Sequence, residues 1–227
     1  MPHHPAHSNP PPQRPDPGAA AAAPLPLASG QTLLFFGDSI TAADPGYVTV
    51  LDQAVRHARP ELDVRLINAG ISGNTVRDLE ARFERDVLAH HPTWVAICIG
   101  TNDYLGAAAG QPQGVPLAEF EARYDALLGR LEAARIGVVL MTIPVIGSDA
   151  PESPLPDPAR YNEAIAALAV RHGLRLVDIH RAFRDVYERA LHYKQQVLLT
   201  TDGIHPNPQG NALIARTLVT HLGLLNR

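Results

Sequence analysis

Two patterns of hydrophobic and polar positions alternate along the chain. Short apolar runs, typical of strands buried in a parallel sheet, are separated by stretches in which apolar residues recur every three or four positions, as in amphipathic helices. The runs predict strands at Leu33–Phe36, Leu62–Ala69, Trp94–Ile99, Val138–Ile143 and Leu174–Ile179. The longer stretches predict helices at 47–57, 75–90, 117–135, 158–172, 181–191 and 208–222. This alternation predicts an α/β fold, a flavodoxin-like doubly wound parallel sheet of five strands in the order 2-1-3-4-5 with helices on both faces.

Three regions lack both patterns. Residues 1–30 are rich in Pro and Ala and predict a disordered leader that precedes a single domain at 31–227. The stretches Tyr104–Pro116 and Pro144–Pro156 are rich in Gly, Pro and small residues and predict loops beside the carboxyl edge of the sheet, with Asp157 as the cap of the next helix.

Composition narrows the possible partners and chemistry. Nineteen Lys and Arg residues against 23 Asp and Glu give a formal net charge of -4, so we expect neither nucleic acid nor a membrane as a partner. The single cysteine, Cys98, excludes an internal disulfide and a cysteine-based zinc site. We expect no metal and no cofactor. The alanine run in the leader is short and interrupted by prolines, so it does not resemble a signal peptide. We therefore expect a cytoplasmic protein.

Polar residues and a glycine follow the predicted strands at the points where those strands end. Ser39 follows the first strand, Gly73 the second and Asn102 the third, while Asp202 and His205 precede the last helix. Since the carboxyl ends of parallel strands share one edge of a sheet, we expect these residues to meet there. Each has a purely structural alternative as a helix cap or a turn residue. Their convergence on one edge favours a functional site.

These residue types suit nucleophilic catalysis on an ester. The Ser39 hydroxyl requires a base, for which His205 is the candidate, and Asp202 can hold the His205 ring in the correct tautomer. The backbone N–H groups of Ser39 and Gly73 and the side-chain amide of Asn102 are candidate donors to a tetrahedral oxyanion. The substrate is then a small-molecule ester.

Three neighbouring residues are candidates for the substrate pocket or its support. We expect Asp38 to organise the turn before Ser39 rather than to act as a second catalytic acid. We expect Asp103 to orient Asn102 or to cap the segment that follows it. The aromatic ring of Tyr104 is a candidate for lining the pocket.

Four segments resemble the sequence blocks of the SGNH (GDSL-type) hydrolases. They are Gly37-Asp38-Ser39-Ile40, Ile71-Ser72-Gly73-Asn74, Gly100-Thr101-Asn102-Asp103 and Asp202-Gly203-Ile204-His205-Pro206. They occur in the order of the family, the resemblance spans residues 32–223, and Ile40 stands in place of the family's leucine. The resemblance implies a flavodoxin-like fold, metal-free ester hydrolysis and the roles given above for Ser39, Gly73, Asn102, Asp202 and His205. A Gly-x-Ser-x-Gly elbow, typical of α/β-hydrolases, is absent.

The leading hypothesis is a serine esterase that works through an acyl-enzyme, and two alternatives stay open. An acyltransferase would use the same triad with another alcohol in place of water. A nucleotide- or phosphate-binding module is disfavoured because the first strand is followed by neither a Walker-type loop nor Gly-x-Gly-x-x-Gly. The two loops predicted to flank the site lack Phe and Trp, so we expect acetyl to butyryl esters of small or carbohydrate-like alcohols. The oligomeric state stays open.

Overall fold

A single parallel sheet forms the centre of the protein. The computed structural model describes residue 25 and residues 27–144, 158–193 and 197–224. The strands are β1 (Thr32–Gly37), β2 (Arg65–Gly70), β3 (Trp94–Cys98), β4 (Gly137–Met141) and β5 (Arg175–Val177). Their order is β2-β1-β3-β4-β5, and every pairing between neighbours is parallel. The predicted fold class and strand order are therefore confirmed.

Helices cover both faces of this sheet. They are α1 (Ser39–Ala42), α2 (Tyr47–Ala58), α3 (Val76–Asp86), α4 (Thr101–Ala108), α5 (Leu117–Ala133), α6 (Ala159–His172), α7 (Ile179–His192) and α8 (Pro208–Leu222). A short 3₁₀ turn at Leu88–His90 follows α3. Within the described ranges, none of these helices has the length and apolar character needed to span a bilayer.

The side chains of β1 alternate between two hydrophobic cores. Leu33 and Phe35 pack into a core with residues from α2, α7 and α8, and Leu34 and Phe36 pack into a second core with residues from α3, α5 and α6. All four side chains are fully buried. Because β1 is covered on both faces, its sequence is a continuous apolar run rather than an alternating one.

The loop predicted at Tyr104–Pro116 is partly helical, which corrects the sequence analysis. Helix α4 continues through Ala108, so the loop begins only after that residue. Gly106 is one of the residues that predicted a loop. In the structure it allows α4 to lie close to the segment that follows it, because a Cβ at Gly106 would lie 2.6 Å from the Cα of Gly114. The segment after α4 folds back against the helix, and this tertiary contact explains the glycine.

Apart from Pro144, the range Pro144–Pro156 lies outside the described residues, as does Asp157. Helix α6 begins at Ala159, with Pro158 as its cap residue.

The packed part of the chain begins before the predicted end of the leader at residue 30. Leu25 is 5% exposed, and its backbone N–H donates to the carbonyl of Leu222 at 2.6 Å. Leu27 is partly buried against the same core. Leu25 and Leu27, which the sequence analysis includes in the leader, therefore pack against the domain; two isolated leucines next to prolines form no recognisable periodic pattern.

Candidate active site

The turn after β1 holds Ser39 at the carboxyl edge of the sheet. A Cβ at Gly37 would lie 2.3 Å from the carbonyl oxygen of Cys98, so the close approach of β1 and β3 requires glycine there. Asp38 is the cap residue of α1, and its Oδ1 accepts the N–H of Ile40 at 3.0 Å. Ser39 is the first residue of α1 and is half-buried. Since the first N–H groups of a helix have no partner within the helix, that of Ser39 is available to a ligand.

Ser39, His205 and Asp202 form a continuous chain of hydrogen bonds. The Ser39 Oγ lies 3.0 Å from His205 Nε2, and His205 Nδ1 lies 2.7 Å from Asp202 Oδ2. The other carboxylate oxygen of Asp202 accepts the backbone N–H groups of Ile204 at 2.9 Å and of His205 at 2.7 Å. Ser39 and His205, which are more than 160 positions apart in the sequence, are thus in direct contact.

The ionisation of Asp202 determines where the proton on the His205 ring lies. Burial raises the pKa of Asp202, but the hydrogen bonds from the His205 ring and from the backbone of His205 and Ile204 together lower it to about 2. An ionised carboxylate only accepts hydrogen bonds, so His205 Nδ1 carries the proton that it shares with Asp202. In the neutral ring, Nε2 then presents a lone pair to the Ser39 hydroxyl, which is the arrangement a general base needs.

The segment that carries His205 is held on both sides. The N–H of Thr201 donates to the carbonyl of His205 at 2.9 Å, and Thr200 forms an antiparallel bridge with Pro206. Asn207 caps α8, with its Oδ1 accepting the N–H of Gly210 at 3.0 Å. The candidate base is therefore fixed between a closed turn and the start of a long helix.

The three candidate oxyanion donors follow three neighbouring strands. Ser39 follows β1, Gly73 follows β2 and Asn102 lies in the first turn of α4 after β3. The Nδ2 of Asn102 donates to the carbonyl of Asn74 at 2.9 Å, which fixes the amide plane and leaves its second N–H available. Gly73 has a φ of +81°, and a Cβ there would meet nothing within 4 Å, so the backbone conformation and not protein crowding requires glycine.

Asp38 and Asp103 are buried supports and do not reach the surface of the site. Both are 0% exposed. The Oδ1 of Asp103 accepts the N–H of Val76 at 2.9 Å, at the start of α3. The expectation that Asp103 orients Asn102 or caps the segment after it is wrong, because its carboxylate instead caps a helix earlier in the chain. Asp38 organises the turn before Ser39, as its hydrogen bond to Ile40 shows.

Burial also changes the ionisation of these two carboxyl groups. Desolvation raises the pKa of Asp38 to about 6, although hydrogen bonds from Ile40 and Thr101 act in the opposite direction. Desolvation raises the pKa of Asp103 to about 7, and the hydrogen bond from Val76 offsets this in part. Both groups therefore change charge near neutral pH.

Tyr104 lies in the core and not in a pocket wall. Its side chain is 3% exposed, and its ring packs against that of Tyr161 at a centroid distance of 5.9 Å. It belongs to the core shared with α3, α5 and α6. The expectation that Tyr104 lines the pocket therefore receives no support from its position.

Sequence reasoning missed Arg82 and Asn74, which contact the backbone of the site. A signal was present for Arg82, because it lies between Leu79 and Phe83 on the apolar side of α3, where a charged residue is unexpected. Asn74 enters the sequence analysis only as the last residue of the segment Ile71-Ser72-Gly73-Asn74. Among the described residues, no group of three or more His, Cys, Asp or Glu side chains is arranged to hold a metal ion.

Comparisons with known proteins show which family the chain is similar to. The model of the GDSL-like lipase/acylhydrolase family matches residues 35–213. An acetylxylan esterase from Geobacillus stearothermophilus is 32% identical over 216 residues, which cover 88% of this chain and 97% of that protein. The thioesterase 1/protease 1/lysophospholipase L1 of Escherichia coli is 28% identical over 199 residues, covering 86% of this chain and 85% of that protein.

Solved structures give the same result. A crystal structure of the acetylxylan esterase from Geobacillus stearothermophilus matches with a TM-score of 0.75 at 33% identity, covering 87% of this chain and 96% of that one. The hydrolase LAE5, from the metagenome of Lake Arreo, matches with a TM-score of 0.76 at 32% identity, covering 88% and 98% of the two chains. Since the family model spans most of the domain and these relatives align over nearly their whole length, the chain belongs to the GDSL-like lipase/acylhydrolase family and is a carboxylic ester hydrolase.

Proposed function

We propose that this esterase removes short acyl groups, acetyl above all, from hydroxyl groups of carbohydrate-like alcohols through an acyl-enzyme on Ser39. The observation that carries the mechanism is the hydrogen-bonded chain from Ser39 through His205 to Asp202, with distances of 3.0 and 2.7 Å. The similarity to an acetylxylan esterase supports the choice of acyl group and alcohol.

Acylation begins with attack of the Ser39 Oγ on the ester carbonyl carbon. His205 Nε2 accepts the hydroxyl proton, and the Asp202 carboxylate stabilises the imidazolium that forms. The backbone N–H groups of Ser39 and Gly73 and the free amide N–H of Asn102 donate to the negative oxygen of the tetrahedral intermediate. The intermediate collapses when the carbon–oxygen bond to the alcohol breaks and His205 returns the proton to the departing oxygen.

Deacylation repeats these steps with water. His205 Nε2 accepts a proton from a water molecule as its oxygen attacks the acyl carbon, and the same three donors stabilise the second oxyanion. Breaking the bond to Ser39 Oγ releases the carboxylic acid, and the proton on His205 restores the serine hydroxyl. The cycle consumes one ester and one water and leaves the triad unchanged.

The described surface beside the site supports a small acyl group. Each CH₂ of an acyl chain gains ~0.8 kcal/mol only where apolar side chains remove it from water. Five large apolar side chains are exposed among the described residues, and of these Ile71, 39% exposed, lies next to the Gly73 turn. Val115, in the loop after α4, is fully buried in the core. Ile71 and the half-buried Ile204 next to His205 offer apolar surface for a short acyl chain.

A series of p-nitrophenyl esters from two to sixteen carbons, together with acetylated xylo-oligosaccharides, tests the acyl preference. We expect kcat/KM to be highest between two and four carbons, with acetate release from the oligosaccharide. A maximum at ten carbons or more would contradict the short-chain proposal and point to a lipase-like groove.

Covalent labelling tests the mechanism separately. A fluorophosphonate probe should label wild-type protein at Ser39, and Ser39→Ala or His205→Ala should lower kcat by at least about 10⁴-fold with the fold retained. Esterase activity that persists in purified Ser39→Ala would overturn the assignment of the nucleophile. An ester of an added alcohol among the products would identify acyl transfer instead of hydrolysis.

A further inference from the structure

Arg82 is a buried arginine whose surroundings differ from those of a surface ion pair. Its side chain is 7% exposed, and its guanidinium lies over the ring of Phe36 at 4.4 Å from the centroid. Phe36 belongs to β1, three residues before Ser39. Asp86, one helical turn further along α3, accepts from Nη1 at 2.8 Å and balances the charge.

The remaining donors of Arg82 bond to three parts of the site. Nη2 donates to the carbonyl of Gly37 at 2.8 Å, and Nη1 donates to the carbonyl of Ala69 at 2.8 Å. Nε donates to the side-chain oxygen of Asn74 at 2.6 Å. One planar group thus connects the end of β1, the end of β2 and the residue after Gly73.

These three contacts surround the candidate oxyanion donors. Ala69 and Asn74 lie on either side of the turn that contains Gly73, so Arg82 holds both ends of that turn. The carbonyl of Asn74 accepts the amide of Asn102, and the carbonyl of Gly37 precedes the turn to Ser39. The N–H of Ile71 also donates to Gly37 O, at 3.1 Å, which ties the same turn to β1 a second time.

We propose that Arg82 is a positioning residue for the oxyanion hole: its guanidinium fixes the Gly73 turn and, through Asn74, the Asn102 amide relative to Ser39. The inference rests on the proposed function, because it gives Arg82 a role only if Ser39, Gly73 and Asn102 act as described there. Arg82 does not touch the substrate in this proposal. It sets the distances at which the donors meet the developing negative charge.

The shape of the guanidinium explains why arginine serves this purpose. Its donors are arranged in a rigid planar fork, so two carbonyls and an amide oxygen can be bonded at fixed angles at the same time. A lysine retains the charge but has a single ammonium on a flexible stem. Oxyanion stabilisation depends on donors that are aligned before the reaction, and small displacements have large effects on rate.

Arg130 provides a matched control. Its guanidinium lies over the ring of Phe83 at 4.3 Å, and it bonds to the carbonyl of Glu80 at 3.0 Å and to the side chain of Glu84 at 2.7 Å. It therefore joins α5 to α3 with the same combination of ring stacking, carbonyl and carboxylate. All three of these partners lie in α3, away from the residues of the site.

The first experiment compares Arg82→Lys with Arg130→Lys using a p-nitrophenyl ester. We expect Arg82→Lys to lower kcat roughly 10- to 100-fold with KM within about twofold of wild type, and Arg130→Lys to change both by less than about twofold. The rate at which a fluorophosphonate modifies Ser39 should fall with kcat in Arg82→Lys, because that adduct also places an oxygen in the oxyanion hole. Equal kinetics for the two variants would overturn the proposal.

Asn74→Ala keeps the test valid if Arg82→Lys folds poorly. This variant retains the carbonyl that Asn102 donates to and removes the side chain that Arg82 holds, at a half-buried position. We expect a loss in kcat of about tenfold with little change in melting temperature. An unchanged kcat would contradict the link from Arg82 to Asn102.

A double variant separates this inference from the proposed function. If Arg82 acts through the oxyanion donors, the loss caused by Arg82→Lys should be smaller in an Asn102→Ala background than in wild type. Fully additive losses would overturn the positioning role while leaving the triad intact. Failure of the probe to label Ser39 in wild-type protein would instead overturn the proposed function itself.

Discussion

At the scale of single residues, the three hydrogen bonds that Asp202 accepts determine the orientation of the His205 ring toward Ser39. Two of the three come from the backbone of Ile204 and His205, within the turn that Asp202 itself begins. The carboxylate is therefore oriented by its own loop before any substrate binds. With its pKa at about 2, Asp202 stays ionised over the whole range in which an esterase works, and it serves only as an acceptor.

Asn102 gives a prediction at this scale. We expect Asn102→Ala to lower kcat by roughly 10²- to 10³-fold, because it removes one donor aimed at the charge of the transition state. The melting temperature should change little, since the side chain makes its described hydrogen bond to one carbonyl at the half-buried rim of the site. Steady-state kinetics and a thermal melt of the purified variant provide the measurement. A loss found wholly in KM would mean that Asn102 binds the ground-state substrate instead.

At the scale of elements, two buried carboxyl groups hold the starts of two helices beside the site. Asp38 is the N-cap of α1 and accepts the N–H of Ile40, and Asp103, in α4, accepts the N–H of Val76 at the start of α3, whose own N-cap is Thr75. In both cases the carboxyl group satisfies a donor that has no partner within its helix. Both carboxyl groups are also buried, which raises their pKa values, so their charge at the start of each helix depends on pH.

The stability of the protein should therefore fall as pH rises through neutrality. Both folded-state pKa values, about 6 for Asp38 and about 7 for Asp103, lie above the ordinary value of 3.8. The folded state thus binds these protons more tightly than the unfolded chain, so their contribution is fully present below about pH 4 and is lost by about pH 7 to 8. Between pH 5 and 8 we expect a loss of roughly 1 to 3 kcal/mol in unfolding free energy per group. Urea denaturation at pH 5, 6, 7 and 8 measures it.

Asparagine variants are the control for this pH dependence. Asp38→Asn and Asp103→Asn keep an oxygen for the N–H of Ile40 or Val76 but cannot ionise, so each should flatten the slope between pH 5 and 8. Asp86 and Glu119, whose neighbouring arginines lower their pKa to about 2, act mainly below that window. An identical slope in wild type and both variants would show that neither carboxyl group is responsible.

The elements themselves were predicted to different degrees. The helix predicted at 208–222 matches α8 at both ends, because Asn207 and Pro208 begin it with a cap and a first-turn proline and Gly223 ends it in a left-handed conformation. The helix predicted to end at residue 90 ends at Asp86, and a separate 3₁₀ turn follows at Leu88–His90. Helix α4 was missed because Gly106 and the small residues around it favour a loop, while the reason for that glycine, its close approach to Gly114, is a tertiary contact.

At the scale of the whole molecule, the first described residues complete the core. Leu25 belongs to the same core cluster as Leu222 and Leu224, and its N–H donates to the carbonyl of Leu222, so the two ends of the described chain meet. The core therefore depends on a residue that composition assigns to the leader.

Truncation separates the leader from this packing residue. Deleting residues 1–23 should leave melting temperature and kcat/KM nearly unchanged, because that segment offers few large apolar side chains to bury. Deleting residues 1–29, or changing Leu25→Ala, should lower the unfolding free energy by roughly 2 to 3 kcal/mol, since a buried leucine is lost. Denaturation curves of the three variants provide the comparison, and equal stability for both truncations would show that Leu25 contributes nothing.

The sequence by itself determined that a parallel sheet forms and that Ser39, Asp202 and His205 lie at one edge of it. Each of these depends on local signals: apolar runs and helical periods report which residues must be buried, and parallel strands bring their carboxyl ends to one edge whatever the details of packing. The residues Ser39, Asp202 and His205 could therefore be placed together before any contact was known.

Only the tertiary structure decided which groups support that site. Arg82 reaches Gly37, Ala69 and Asn74, and Asp103 caps a helix that precedes it by 27 residues. The raised pKa values of Asp38 and Asp103 likewise come from burial by segments far away in the chain. Hydrogen-bond partners and desolvation depend on which residues distant in the sequence come into contact. The hydrophobic pattern of neighbouring positions carries no information about those contacts.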